Sequence, residues 1–314
     1  MVAPNPLRRD ILRSLLLVGG ACLARATAAL ATPMPIESGT ILSRTIPRSG
    51  EKLPAVGLGT WQAFDVDGEA GPRDEAAETL RTFVAAGLRV IDTSPMYGSA
   101  EATLGELLEP IEGNRSAFVA TKVWTSGAAA GRRQIENSFQ LLRRERLDLI
   151  QVHNLLDADA HLATLAQFKR EGRLRYVGVS HYSASAHATL VKYIESGAID
   201  FVQVNYSLLE REAERSVLPA AKAHGVAVLI NRPFADGPVL ARVRGRELPP
   251  LAAEIGATSW AQFALKWIIA HPAVTCAIPG TRNPAHLLDN IAAARGTIPD
   301  EATRERMAAL FDGE

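Results

Sequence analysis

The stretch LDLIQVH, residues 147–153, decides the fold. Its central part, DLIQV, is largely apolar on both faces, which is typical of a parallel strand buried between two layers. A helical pattern follows at residues 160–170, and a second short apolar run, RYVGVS, occupies residues 175–180. This strand–helix–strand order predicts a βαβ unit of an α/β fold.

The same alternation extends in both directions from this unit. Eight strand-like runs are predicted at residues 55–59, 89–92, 117–122, 147–153, 175–180, 201–205, 227–231 and 275–279. Helical patterns between them are predicted at residues 74–86, 100–108, 132–144, 160–170, 183–195 and 211–224. Eight βα units without a change of composition predict a (β/α)₈ TIM barrel.

A doubly wound open sheet is the competing fold. It would normally carry the pattern G-x-G-x-x-G after its first strand, whereas residues 57–62 read GLGTWQ and lack the third glycine. Ahead of the barrel, residues 40–55 predict a hairpin with its turn at Ser49 and Gly50. Residues 232–249, with three prolines and two glycines, predict a long irregular loop.

Composition excludes several classes of protein. The 314 residues include 34 basic and 34 acidic side chains, so no basic excess indicates a nucleic-acid partner. Two cysteines cannot form a disulfide framework. A chain that is 47% hydrophobic and 22% charged is neither disordered nor a multi-span membrane protein.

The first 31 residues predict an export signal. Arg8 and Arg9 precede an apolar run over residues 15–30, and the sequence Ala-Leu-Ala at 29–31 suits a signal peptidase. The paired arginines resemble the twin-arginine signal, which predicts binding to the export machinery, a periplasmic location and no stable membrane insertion. Residues 32–43 are then a linker and residues 44–314 the barrel. The alternative is a cytoplasmic protein whose translation starts at Met34.

Barrel enzymes place their chemistry at the carboxyl ends of the strands. Asp92 ends the second predicted strand and Tyr97 lies in the loop beyond, while Lys122 and His153 end the third and fourth. We therefore expect a carboxylate, a phenol, an ammonium and an imidazole to meet at the carboxyl end of the barrel. This combination of groups predicts a catalytic site there.

These four groups suit the reduction of a carbonyl. A tyrosine has an ordinary pKa of about 10, and a nearby lysine is expected to lower it. Tyr97 would donate a proton to the carbonyl oxygen, His153 would hydrogen-bond the same oxygen, and Asp92 would orient Lys122. No side chain supplies a hydride, so a redox cofactor is required.

The chain resembles the aldo-keto reductases over residues 44–312. The stretches that carry the resemblance are VGLGTW, IDTSPMYGSAEATLGELL, VATKVW, DLIQVHN, YVGVSHYS, VQVNYS, INRPF and AIPGTRNPAHLLDN. The resemblance implies a barrel whose bottom is closed by the hairpin, and it assigns the catalytic tetrad to Asp92, Tyr97, Lys122 and His153. It also implies NAD(P)H-dependent reduction of a small carbonyl substrate.

The resemblance further implies a set of cofactor-binding residues. The set includes Gly59, Thr60 and Trp61 at the first strand and Asn231 and Arg232 at the seventh. For the nicotinamide half the residues are Ser180, His181 and Gln203. For the adenine half they are Gly280, Thr281, Arg282, Asp289 and Asn290. Two positions depart from the family pattern: His181 replaces an asparagine, and Asn231 stands where many members stack an aromatic ring on the nicotinamide.

Arg282 bears on the choice between the two cofactors. A guanidinium forms a bidentate pair with a phosphate, so Arg282 favours NADPH over NADH through the 2′-phosphate. The alternative is a solvated arginine in a surface loop.

Other chemistries find little support in the sequence. No histidines have metal-ligand spacing, so no metal site is predicted, and no Gly-x-Ser-x-Gly elbow is present. A barrel hydrolase of sugars would need carboxylates where His153 and Asn231 stand. A cofactor-binding or regulatory protein of weak activity on the same barrel remains the alternative to a reductase. The mouth residues Trp61, Met96, Trp124 and Tyr182 suit an apolar substrate pocket, and packing in the core is the alternative.

Overall fold

The computed structural model describes residues 39–312. An antiparallel hairpin of β1 (Ser43–Thr45) and β2 (Lys52–Pro54) precedes a sheet of eight parallel strands that are neighbours in chain order. The eight strands are β3 (Leu58–Gly59), β4 (Val90–Asp92), β5 (Phe118–Val123), β6 (Leu147–His153), β7 (Leu174–Ser180), β8 (Phe201–Asn205), β9 (Ala227–Asn231) and β10 (Cys276–Ala277).

Helices connect successive strands, and two more follow the last strand. They are α1 (Ala70–Ala85), α2 (Ala100–Leu108), α3 (Ala128–Leu141), α4 (Ala158–Arg170), α5 (His187–Glu195), α6 (Val217–His224), α7 (Pro238–Arg242), α8 (Pro250–Glu254), α9 (Trp260–Ala270), α10 (Pro284–Ala292) and α11 (Glu301–Ala309). Short 3₁₀ turns lie at Asn114–Ser116, Ala184–Ala186 and Glu212–Arg215.

The sheet closes on itself through the chain around β3. Val56 pairs with Ala277 and Gly59 with Gly280, both in parallel register. The close approach needs a glycine, because a Cβ on Gly59 would lie 2.7 Å from the carbonyl oxygen of Ile278. The predicted (β/α)₈ barrel is therefore confirmed, and the open sheet is excluded.

The hairpin covers the bottom of the barrel. Ile46 and Leu53 are fully buried and belong to the cluster that fills the barrel interior, with Phe118, Leu149 and Phe201 from three of the strands. A second, larger apolar cluster lies between the strands and the surrounding helices. The predicted hairpin and its position under the barrel are confirmed.

Some observed bounds of helices and loops differ from those predicted from the sequence. The long loop at residues 232–249 is not wholly irregular, because α7 forms within it after Gly237. The helices predicted at 183–195 and 211–224 begin as 3₁₀ turns, and the main chain of Leu42, assigned to the linker, already donates to Ala294. The predicted signal lies outside the described residues. Between residues 39 and 312, no helix is long and apolar enough to cross a membrane.

Candidate active site

The four predicted catalytic residues meet at the carboxyl end of the barrel. Asp92 is the last residue of β4 and His153 the last of β6, while Lys122 is the penultimate residue of β5 and Tyr97 follows β4. A cavity of about 590 Å³ opens above them, and Asp92, Tyr97 and His153 line it. Parallel strands in register bring their last residues to the same end, so the fold itself gathers these groups.

Lys122 and Asp92 form a buried ion pair. The ammonium Nζ lies 2.6 Å from Asp92 Oδ2 and donates to the carbonyl oxygen of Thr93 at 2.9 Å. Asp92 Oδ1 accepts from the amides of Gln203 at 2.8 Å and Gln151 at 3.2 Å, so both carboxylate oxygens are satisfied. Burial alone would lower the pKa of Lys122, but its charge interactions and hydrogen bonds, with Asp92 first and then with Tyr97, together outweigh burial and raise that pKa. Lys122 is therefore a permanent positive charge in the site.

Tyr97 stands beside that charge. The Nζ atom of Lys122 lies 4.8 Å from the centre of the phenol ring. Burial raises the pKa of Tyr97 above its ordinary value of 10.0, and the positive charge of Lys122 opposes this rise without cancelling it. The expectation that Lys122 lowers this pKa below its ordinary value is therefore wrong, because desolvation of the phenolate is the larger effect. The free site holds a neutral phenol.

His153 meets Tyr97 edge to face. The two ring centres are 5.7 Å apart and the rings are inclined by 84°. Burial, assisted by the positive charge of Lys122, lowers the pKa of His153 from 6.5 to about 2. Its Nδ1 atom lies 3.0 Å from the hydroxyl oxygen of Ser94, a buried residue of the same loop as Tyr97. The imidazole is therefore neutral, and it is held by the hydroxyl of Ser94, which sequence analysis does not single out.

Eight of the predicted cofactor-binding residues line the cavity: Gly59, Thr60, Trp61, Ser180, Gln203, Asn231, Arg232 and Gly280. Asn231 donates from Nδ2 to the main-chain oxygen of His181 at 3.2 Å, but its buried Oδ1 has no hydrogen-bond partner. A carboxamide N–H is a donor of the kind that this orphaned acceptor needs. The donor set therefore fits a nicotinamide, and Asn231 offers a polar contact in place of a stacked ring.

His181 is turned toward its own loop. Its Nδ1 accepts from the main-chain N–H of Ser183 at 3.1 Å, and its ring stacks on Tyr182 with 5.2 Å between centres. Burial lowers the pKa of His181, so the ring is neutral. His181 is not among the residues that line the cavity. Its predicted contact with the cofactor stays a prediction.

Arg232 links the loops that follow β7, β8 and β9 above the cavity. Its guanidinium lies 3.1 Å from Glu210 and 3.0 Å from Asp236, and it donates to the main-chain oxygen of Tyr182 at 3.1 Å. Arg232 has a left-handed φ of 49°, which is uncommon for a residue other than glycine. Glu210 and Asp236 were not predicted, because acidic residues in loops are common and Glu210 becomes a neighbour of Arg232 only when β8 and β9 pair.

A second cavity, of about 380 Å³, lies at the predicted adenine side. Gly280, Thr281 and Arg282, which are predicted to bind the cofactor, line it together with Glu75 and His286. Arg282 Nε lies 3.2 Å from Glu75 Oε2.

The last two predicted cofactor residues lie away from both cavities. Asp289 accepts hydrogen bonds from Ser259 and Gln262, each at 2.7 Å, and so joins α10 to α9. Asn290 is buried in α10. Neither residue lines either cavity, and their role in binding stays a prediction.

The mouth of the first cavity is apolar. Among residues 39–312, seven large hydrophobic side chains are exposed, and five of them ring this mouth: Trp61, Met96, Trp124, Tyr182 and Leu240. Such a cluster on an exposed surface indicates a binding site for apolar groups. The predicted apolar lining is therefore present around the four polar residues.

Comparison with known proteins identifies relatives over most of the chain. The model of the aldo/keto reductase family matches residues 55–308. Methylglyoxal reductase YeaE of Escherichia coli (strain K12) is 30% identical over 260 residues, which cover 79% of this chain and 88% of the relative. The NADH-specific methylglyoxal reductase of the same strain is 23% identical over 317 residues, covering 82% and 96%. An aldo-keto reductase from Klebsiella pneumoniae, solved in complex with NADPH, superposes with a TM-score of 0.72 at 25% identity, covering 88% of this chain and 96% of that one.

Proposed function

The chain belongs to the aldo/keto reductase family, and we propose that it reduces aldehydes or ketones to alcohols with NADPH as hydride donor and Tyr97 as general acid. Membership of this family makes it an NAD(P)H-dependent oxidoreductase that acts on carbonyl compounds. The observation that carries the assignment of Tyr97 is the buried Lys122–Asp92 pair, whose ammonium lies 4.8 Å from the phenol ring.

The cofactor and the side chains divide the work. When bound, NADPH supplies the hydride that adds to the carbonyl carbon. Ser180, Gln203 and Asn231 would hold the nicotinamide, and Asn231 Oδ1 would accept from its carboxamide.

The proton comes from the protein. Tyr97 donates its phenolic proton to the carbonyl oxygen as the C–H bond forms, so the product is a neutral alcohol and Tyr97 becomes a phenolate. Lys122 stabilises that phenolate, because the ammonium stays charged beside the ring through its pairing with Asp92. Neutral His153 orients the carbonyl by hydrogen-bonding its oxygen, which lowers the energy of the developing negative charge.

The apolar mouth supports carbonyl substrates that carry an apolar group. Two of the relatives are named methylglyoxal reductases, so methylglyoxal is the natural small substrate for comparison. We expect an aromatic aldehyde to have the lower KM, because its ring would be buried among Trp61, Trp124 and Tyr182.

A single substitution tests the proposed acid. Tyr97→Phe keeps the ring and removes the proton, so it should lower kcat for aldehyde reduction by about a hundredfold or more. The dissociation constant for NADPH, followed by fluorescence, should stay within about twofold. Wild-type turnover in the Phe variant would show that another group is the acid. NADPH binding by the wild-type chain without turnover of any aldehyde or ketone in a panel would favour the regulatory alternative.

A further inference from the structure

Ser94 is buried between the two groups that meet the substrate oxygen. It lies in the loop after β4, between Asp92 and Tyr97 in the sequence, and is fully buried. Its Oγ is 3.0 Å from His153 Nδ1 and accepts a hydrogen bond from the main-chain N–H of Met96 at 3.2 Å. In the described part of the chain, Ser94 Oγ hydrogen-bonds with these two residues alone.

Counting protons decides the direction of the Ser94–His153 hydrogen bond. A neutral imidazole has one donor and one acceptor nitrogen, and a serine hydroxyl has one proton and two lone pairs. If His153 Nδ1 donated to Ser94, both lone pairs of the hydroxyl would be filled and its own proton would have no acceptor. If Ser94 donates to Nδ1, the hydroxyl of Ser94, the Nδ1 atom of His153 and the main-chain N–H of Met96 are all satisfied. An unsatisfied buried donor is unfavourable, so the second arrangement is the stable one.

We propose that Ser94 is a positioning residue that fixes His153 in the tautomer with its proton on Nε2. With Nδ1 engaged by Ser94, Nε2 is the nitrogen left for a substrate in the cavity that His153 lines. An Nε2–H donates to a carbonyl oxygen, whereas a bare Nε2 would set its lone pair against those of the oxygen. This inference rests on the proposed function, because it gives His153 the donor role which carbonyl reduction requires.

The ring is held neutral, so its tautomer is well defined. Burial and the positive charge of Lys122 lower the pKa of His153 to about 2, which leaves one ring proton throughout the ordinary pH range. The position of that proton then depends on the hydrogen bond at Nδ1, as is general for histidines at functional sites. The main-chain N–H of Met96 holds the hydroxyl in place, because it occupies one of the two lone pairs.

The proton can be located by nitrogen NMR on the full-length protein with NADPH bound and no substrate. Long-range ¹H–¹⁵N spectra distinguish protonated from bare ring nitrogens, and the spectrum of His153→Asn identifies the His153 signals. We expect the wild-type chain and Ser94→Thr, which keeps the hydroxyl, to carry the proton on Nε2. Ser94→Ala should move the proton partly or wholly to Nδ1. Thr93→Val is the matched control, since it removes a neighbouring buried hydroxyl that has no partner and should leave the His153 signals unchanged.

Kinetics complete the test. Ser94→Ala should lower kcat for aldehyde reduction by about tenfold to a hundredfold and leave the NADPH dissociation constant unchanged. A wild-type proton on Nδ1, or a Ser94→Ala spectrum that keeps the proton fully on Nε2, would overturn the role of Ser94. If the wild-type chain reduced no carbonyl while its tautomer followed Ser94, the proposed function would fail and the assignment of Ser94 would stand.

Discussion

The guanidinium of Arg282 lies 3.2 Å from the carboxylate of Glu75, a residue of α1, inside the cavity predicted for the adenine half of the cofactor. The arginine that the sequence indicates for a 2′-phosphate therefore already has an acidic partner. Both side chains are more than a third exposed, and exposed ion pairs contribute only about 0–1 kcal/mol. A phosphate can displace Glu75 at little cost.

Removing the arginine should weaken NADPH selectively. Arg282→Ala is expected to make the free energy of NADPH binding less favourable by about 1.5–3 kcal/mol, the range for a hydrogen bond to a charged group. NADH lacks the 2′-phosphate, so its dissociation constant should change little. Fluorescence titration with both cofactors checks this, and equal losses would end the case for 2′-phosphate recognition.

Removing the negative charge of Glu75 should have the opposite effect on NADPH binding. Glu75→Gln keeps the size of the side chain but removes the charge that competes for Arg282 and repels a phosphate. NADPH should bind more tightly by up to about 1 kcal/mol, and NADH should gain nothing. The double variant with Arg282→Ala is the control, since Glu75→Gln should lose most of its effect on NADPH once Arg282 is absent. An unchanged NADPH affinity in Glu75→Gln would contradict competition between the two groups.

The rate of reduction should change little with pH across the neutral range. The general acid is the protonated phenol, and because the pKa of Tyr97 is raised above 10.0, this form persists at least to that pH. His153, with its pKa near 2, contributes no change above about pH 4. Single-turnover rates between about pH 6 and 9 should therefore be level, and the reverse oxidation, which needs the phenolate, should rise with pH. A fall of the reduction rate centred near pH 7 would show that a different group is the acid.

Much of the site could be read from the sequence because the barrel topology converts order along the chain into position. The observed bounds of β6, β8 and β9 coincide with the predicted runs, and once strands are parallel and in register their last residues must share one end of the barrel. Asp92, Lys122 and His153 follow from that rule alone.

The partners of these residues could not be read in the same way. Gln151 lies inside a strand run, where an amide looks like a polar interruption, and only folding brings it 3.2 Å from Asp92. Glu75 lies on a helix that touches the eighth βα unit because the barrel closes, a contact across more than 200 residues. The direction of the pKa shift of Tyr97 could not be predicted either, because the sequence shows that a lysine is near but not how deeply the phenol is buried.

Acid should destabilise the folded protein through its buried histidines. The pKa of His153 is lowered to about 2 and that of His271 to about 4, in both cases chiefly by burial, while both titrate near 6.5 when unfolded. As the pH falls below about 6.5 the unfolded chain binds protons that the folded chain does not, so the free energy of unfolding decreases. Each histidine contributes at most about 1.4 kcal/mol per pH unit. Urea denaturation at several pH values between 7 and 4.5 measures the slope.

The contribution of His271 to this dependence of unfolding free energy on pH can be measured with a variant. His271 lies outside the active site, at the end of α9, so His271→Gln tests stability without touching the proposed chemistry. The variant should lose less stability between about pH 6.5 and 4.5 than the wild-type protein, because one of the protons taken up on unfolding is gone. Identical slopes would mean that His271 does not carry the acid sensitivity.

The export proposal concerns residues ahead of the described part of the chain. Changing Arg8 and Arg9 together to lysine keeps the charge but removes the paired guanidinium groups, so the variant should stay uncleaved in the cytoplasm. It should keep its reductase activity, because the eight strands of the barrel all lie between residues 58 and 277. Arg13→Lys, outside the pair, is the matched control and should be exported, with a mature chain that starts at Thr32. Cell fractionation and N-terminal sequencing measure both properties, and a wild-type protein found in the cytoplasm and starting at Met34 would contradict export.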